Sequence, residues 1–169
     1  MKKIFVSLAF LTLVSTLTFA QKYGHLNFGN IVSLLPETKQ ADSDLEAYQK
    51  QLVAKGEEMA GAFQEAYGQF VREVQSGDLT PKAQQEKQAQ LQQKQQEIVA
   101  YENEVVEKVQ AKRQELLKPL LEKVDVAIKA VAKENGYQLI FDTSLFNAVL
   151  FAQETDDILP QVKAKLGIN

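Results

Sequence analysis

Apolar residues recur at helical spacing over most of this chain. From Glu37 to Gln75, the residues Ala41, Leu45, Tyr48, Leu52, Met59, Phe63, Ala66, Phe70 and Val74 are mostly three, four or seven positions apart. On a 3.6-residue wheel they fill about one third of the circumference, the mark of an amphipathic helix. From Pro81 to Leu117 the pattern resumes with Leu91, Ile98, Tyr101, Val105, Val109 and Leu116. Between the two halves stands Ser76-Gly77-Asp78-Leu79-Thr80-Pro81. Glycine suits a helix end, Asp and Thr suit caps, and proline suits a first helical turn. The pattern predicts two helices zipped as an antiparallel coiled coil, with its tip at 76–81. At 1.5 Å per residue each would run about 55–60 Å, against roughly 30 Å for a small domain. Such an arm projects from any small body that carries it.

The flanking segments change pattern. Tyr23-Gly24-His25-Leu26-Asn27-Phe28 alternates in part and reads as a short strand, and the apolar run Ile31 to Leu35 closes at Pro36. Pro119 falls inside a helical segment that continues to Asn135, where it predicts a kink or restart between arm and body. Asn135-Gly136 is a helix stop. Residues 137–142 read as a strand, 143–147 as a loop and 148–152 as a second strand. Asp156 or Asp157 is placed to cap a last helix through Ile158, Val162 and Leu166, ending at Gly167. The expected class is mainly α with a small β body. The body comprises 21–36 and 118–169, and the arm 37–117.

The first twenty residues fall outside this scheme. Lys2 and Lys3 precede an apolar run from Ile4 to Phe19, and Thr18-Phe19-Ala20 places small residues at −3 and −1 of a cleavage site. That is the plan of a secretory signal peptide cleaved after Ala20, and it predicts export. Without it the chain has 149 residues, 17 basic (19 less Lys2 and Lys3) and 22 acidic, a net charge near −5. An acidic chain lacks the basic surface that nucleic acid requires. With no cysteine, an exported chain of this kind has no disulfide framework and must be held by packing or assembly. The body alone is small enough to favour oligomerisation.

The run Leu117-Lys118-Pro119-Leu120, then Lys123-Val124, Ala127-Ile128, Val131-Ala132, Gly136-Tyr137 and Ile140-Phe141-Asp142, resembles the Skp/OmpH family of periplasmic chaperones for outer-membrane proteins. So do Ala148 to Ala152 before an Asp-initiated last helix, and the short strand ending at Asn27 before Pro36-Glu37. The resemblance follows the mature chain in order. It implies a periplasmic homotrimer with a shared β-barrel-like body and three helical arms around a cavity for unfolded outer-membrane β-barrel proteins. It implies no nucleotide or other cofactor, and no Gly-rich phosphate loop is present in the sequence. The chain departs from the basic arms of well-known members: residues 42–118 hold ten Lys/Arg and fourteen Asp/Glu. The acidic arm argues against lipopolysaccharide or membrane binding, and for capture by apolar contact and confinement.

The coiled-coil stripe is needed to hold the arm together, so contact residues are sought off it. Val53 and Val71 lie about 90–110° from the stripe centre and Tyr67 on its flank, while Val99 and Val106 form a second row pointing towards Leu117 and Leu121. Gly56, Gly61 and Gly68 soften the ascending helix, or else permit close helix approach, and with Pro119 they are the candidate hinge positions. Leu26, Leu139, Phe141, Val149 and Phe151 are the candidate oligomerisation residues of the body. His25 is the sole histidine, so no metal site is expected. Asp142, Asp156 and Asp157 read as strand-end and cap residues, and Ser33, Ser43 and Ser144 lack a nucleophile's context. The chain reads as a holdase and not an enzyme. A structural or adaptor coiled coil of the envelope, binding one folded partner, is the alternative.

Overall fold

The computed structural model describes residues 21–168, and the leader expected at 1–20 lies outside them. In chain order the elements are β1 (Lys22–Leu26), α1 (Phe28–Leu34), α2 (Pro36–Ser76), α3 (Pro81–Asn135), β2 (Tyr137–Asp142), a 3-10 turn (Glu154–Asp156) and α4 (Leu159–Leu166). They form two compact units. Residues 32–123 make one, and the segments on either side of them make the other.

The first unit is a helical hairpin. Leu35 is extended (φ −64°, ψ 129°) and Pro36 opens α2, where the ring fixes φ and the missing N–H is no loss. The helix ends at Gly77, whose φ of 76° falls in the left-handed region. Gly77 N–H donates to Val74 O at 3.2 Å and Asp78 N–H to Glu73 O at 3.3 Å, closing the end as a Schellman motif. Thr80 restarts the chain: its hydroxyl accepts Ala83 N–H at 3.2 Å and its carbonyl accepts Gln84 N–H at 2.9 Å. The stop-and-restart signal thus folds as its residues require.

Three ties fix the register of α2 against α3. Glu37 pairs with Lys123 at one end, the Tyr101 hydroxyl donates to Leu52 O at 3.0 Å midway, and Glu73 pairs with Lys87 near the tip. Each pair is nearly symmetric about the turn, so the helices run antiparallel without slipping. Burial along the seam is uneven. Ala41, Leu45, Leu52, Tyr101 and Leu120 are buried, whereas Phe63, Phe70, Leu91 and Ile98 are only half-buried. Opposite the two phenylalanines α3 offers mainly Gln and Lys, and a void of about 140 Å³ lies between Ala66, Phe70, Lys87 and Leu91. The helix does not restart at Pro119: α3 is continuous from Pro81 to Asn135 around it.

The second unit is built on a parallel pair. β1 and β2 align Gly24 with Ile140, His25 with Phe141 and Leu26 with Asp142, after a bulge next to Tyr137. That bulge turns the Tyr137 ring towards Gly24, onto the side opposite Leu139 and Phe141. Leu26, Ile31, Val124, Val131, Ile158 and Val162 form the core, each no more than 2% exposed. Asp142 joins β2 to α1 by accepting Phe28 N–H at 3.1 Å, and Asn27 caps α1 by accepting Asn30 N–H at 2.7 Å. The final helix starts with help from Asp157, which accepts Leu159 N–H at 2.8 Å, and ends at Gly167.

Two readings of this unit need correction. Residues 148–152 are not a strand; they follow a turn in which Asn147 has φ 60° and Ala148 N–H donates to Leu145 O. Residues 148–152 pair with neither strand, although β2 has an open outer edge in this two-stranded sheet. Both edges of β1 are taken. β2 holds one, and the other bonds His25 O to Ile158 N–H at 2.9 Å beside the His25–Asp157 bridge. The apolar run before Pro36, left without an element in the sequence, is the helix α1.

Candidate functional site

The hairpin positions the off-stripe residues. At about 100° per residue, Val53 and Val71 follow the seam by one residue step on α2, and Val99 and Val106 follow it by slightly more on α3. In antiparallel right-handed helices, equal turns past a shared seam lead to the same side. The two rows therefore share one broad side of the hairpin. Val53 is 54% exposed, Tyr67 53%, Val99 52% and Val106 70%, while Val71 is half-buried. Val53 lies at the height of Val99 and Val106, and Tyr67 and Val71 lie nearer the tip. The rings of Phe63 and Tyr67 are 6.3 Å apart and near parallel, so Tyr67 extends the seam's aromatic surface outward.

The three glycines of α2 differ. A Cβ on Gly56 would meet the Tyr101 ring at 3.6 Å, an ordinary contact, so that position faces the seam. Gly61 faces open space, and a Cβ on Gly68 would reach only the Arg72 guanidinium, a flexible end. Packing accounts for neither. Each lowers the local helix propensity relative to Ala.

In the other unit Leu26 is 2% exposed and belongs to that unit's own core, so it is not open to a partner. The remaining body candidates face outward: Leu139 is 56% exposed, Phe141 47% and Phe151 82%, with Val149 half-buried. Phe146 and Leu150, not singled out from the sequence, are more exposed still. Their signal was available: Phe146 is a large apolar residue in a segment read as a loop, and Leu150 stands in the segment read as a strand. A cleft of about 340 Å³ opens between Tyr23, His25, Phe141, Val149, Phe151 and Asp156, and His25 Nε2 lies 2.9 Å from Gln153 O.

The polar groups that invite a chemical reading have structural partners. Partial burial works against ionisation of Asp142. The N–H groups of Ser144 and Phe28 and the Ser144 hydroxyl outweigh it, holding the carboxyl below its ordinary range. Hydrogen bonding by Lys87 likewise lowers Glu73. Among the described residues no three His, Cys, Asp or Glu side chains gather as a metal site, and no helix is long and apolar enough to cross a membrane.

The family model for outer membrane protein (OmpH-like) matches residues 22–166. A crystal structure of a provisionally assigned OmpH-like outer membrane chaperone from Caulobacter crescentus CB15 aligns with a TM-score of 0.72 at 19% identity. The alignment covers 86% of this chain and 83% of that one, and speaks to a common fold. No curated protein matches the chain.

Proposed function

The chain belongs to the OmpH-like outer membrane protein family, and from that premise we propose that it is an ATP-independent periplasmic holdase. It takes up unfolded outer-membrane β-barrel proteins between helical arms and keeps them from aggregating. The observation that carries this reading is the long hairpin with Val53, Tyr67, Val99 and Val106 exposed along one side. Such sites are single and spaced. Each contributes about 1 kcal/mol or less, so a client is held by many contacts and released without an energy source. An arm with net negative charge supports enclosure and apolar contact over a basic clamp.

Self-association completes the device. One hairpin cannot enclose a client, and the outward Leu139, Phe141, Phe146, Leu150 and Phe151 give the second unit an apolar surface suited to other copies, as a trimer. The test dilutes a urea-unfolded β-barrel membrane protein into buffer with and without the purified chain, without nucleotide. Suppressed aggregation of several unrelated barrels, at about three chains per client, is the expected result. An inert protein that instead co-purifies with one folded envelope protein would establish the adaptor reading.

A further inference from the structure

Charge is missing from one face of α3. Fifteen of the 42 residues from Lys82 to Lys123 are charged. Yet the eleven positions recurring every three or four residues from Gln85 to Leu121 hold six Gln, one Asn, two Val, two Leu and no charge. Their mean spacing is one helical turn, so they form a single straight row, roughly 54 Å long at 1.5 Å per residue. Ten of the eleven are exposed, and Leu117 is half-buried. The row lies on the side of the hairpin that carries Val53 and Tyr67, where α2 also presents Ala60 and Gln64. The back of α2, by contrast, carries the charged Lys39, Lys50, Glu57, Glu65 and Arg72, roughly one every two or three turns, among small residues such as Ser43, Ala54, Gly61 and Gly68.

Solvent exposure alone does not account for such a row, since an exposed helix face is ordinarily charged. Nor does it match the seam this chain uses to pair helices. That seam is built on Leu, Tyr, Phe and Val, whereas only four of the eleven row positions are apolar. Among the described residues, no group bonds the amides of the six row glutamines, and Asn103 reaches only the Val99 carbonyl of its own helix, at 3.0 Å. A side-chain amide offers two donors and an acceptor, the same chemistry as a peptide group. It also loses far less than an ion when water is removed.

Resting on the holdase reading above, we infer that this uncharged row, centred on Gln88, Gln92, Gln96, Val99, Asn103 and Val106, binds the main chain of an extended, unfolded polypeptide. Amides bond the peptide groups and the valines cover whatever apolar side chain falls beside them. The partner is recognised by what all unfolded chains share, a neutral backbone, so contact is indifferent to client charge and sequence.

The test adds charge of each sign. Gln88→Glu with Gln96→Glu, and separately Gln88→Lys with Gln96→Lys, are compared with Gln51→Glu and Ala62→Glu on the other side of α2. Affinity for a urea-unfolded β-barrel membrane protein is read by fluorescence at low and high salt, with helicity and oligomeric mass as controls. Both row variants are expected to bind about tenfold more weakly at either salt concentration, and the α2 variant as the wild type does. Opposite effects of Glu and Lys would overturn the inference in favour of client electrostatics. Loss of oligomeric mass in both would make the row an interface between copies, and unchanged affinity would leave it no role in binding. If the wild type itself fails to bind, the holdase reading falls first.

Discussion

Gly24 has no room for a side chain. A Cβ there would sit 2.9 Å from Ile158 Cγ2 and 3.0 Å from the Tyr137 ring; Ile158 is fully buried in the core and Tyr137 is half-buried. Gly24→Val should therefore destabilise the strand-bearing unit by about 1–3 kcal/mol, read as a lower unfolding temperature. Asp142 is the second fixed point, because its carboxylate accepts hydrogen bonds from both Phe28 and Ser144. Asp142→Ala should cost about 1–2 kcal/mol near neutral pH. Since folding lowers its pKa, that contribution is complete above its unfolded value of about 3.9 and fades as pH falls through the folded one. In urea unfolding, the gap between wild type and variant should therefore narrow at pH 3. A gap of the same size there would mean that the ionised form is not what matters. Neither role was legible beforehand. A glycine in a short strand and an aspartate at a strand end take their meaning from residues more than a hundred positions away.

At the scale of elements, the hairpin was the most legible part of the chain. Its signals are local: a stripe at helical spacing, Gly77 to stop, Thr80 and Pro81 to restart. The small unit was less so, because strands and short helices depend on distant partners. Residues 148–152 have strand composition but pair with neither β1 nor β2, and α1 is held by a carboxylate from β2. Pro119 was read as a kink or restart, and the restart is absent because only one backbone bond is lost at that position. The gradient along the seam was legible in part, since the eight Gln of 84–96 mark a thinly stabilised stretch near the tip; that Phe63 and Phe70 meet this stretch was not. Amide exchange should be fastest around 66–94 and slowest around Leu45, Leu52 and Tyr101. Leu52→Ala is expected to cost about 2–4 kcal/mol, and Leu91→Ala about half as much, by thermal or urea unfolding. Gly61→Ala with Gly68→Ala should stabilise α2 by close to 1 kcal/mol at each site. If bending matters to capture, the same double variant holds clients less well.

For the whole molecule, family membership supports a general chaperone role, and the proposed holdase assigns enclosure to the arms and assembly to the small unit. If the exposed Phe146, Leu150 and Phe151 form the proposed assembly surface, replacing all three with Ser should yield monomers that keep their helicity but no longer protect clients. In the proposed holdase, the charge of the arms bears on how a client is held. With an acidic arm and one uncharged row, retention should change little between low and high salt, as screening acts on charges and not on apolar or amide contacts. The most direct measurement is the mass of the chain with and without an unfolded outer-membrane β-barrel protein, by light scattering after gel filtration. The account predicts three chains alone, and three chains with one client when the barrel is present. A stable monomer that leaves the barrel to aggregate would contradict it.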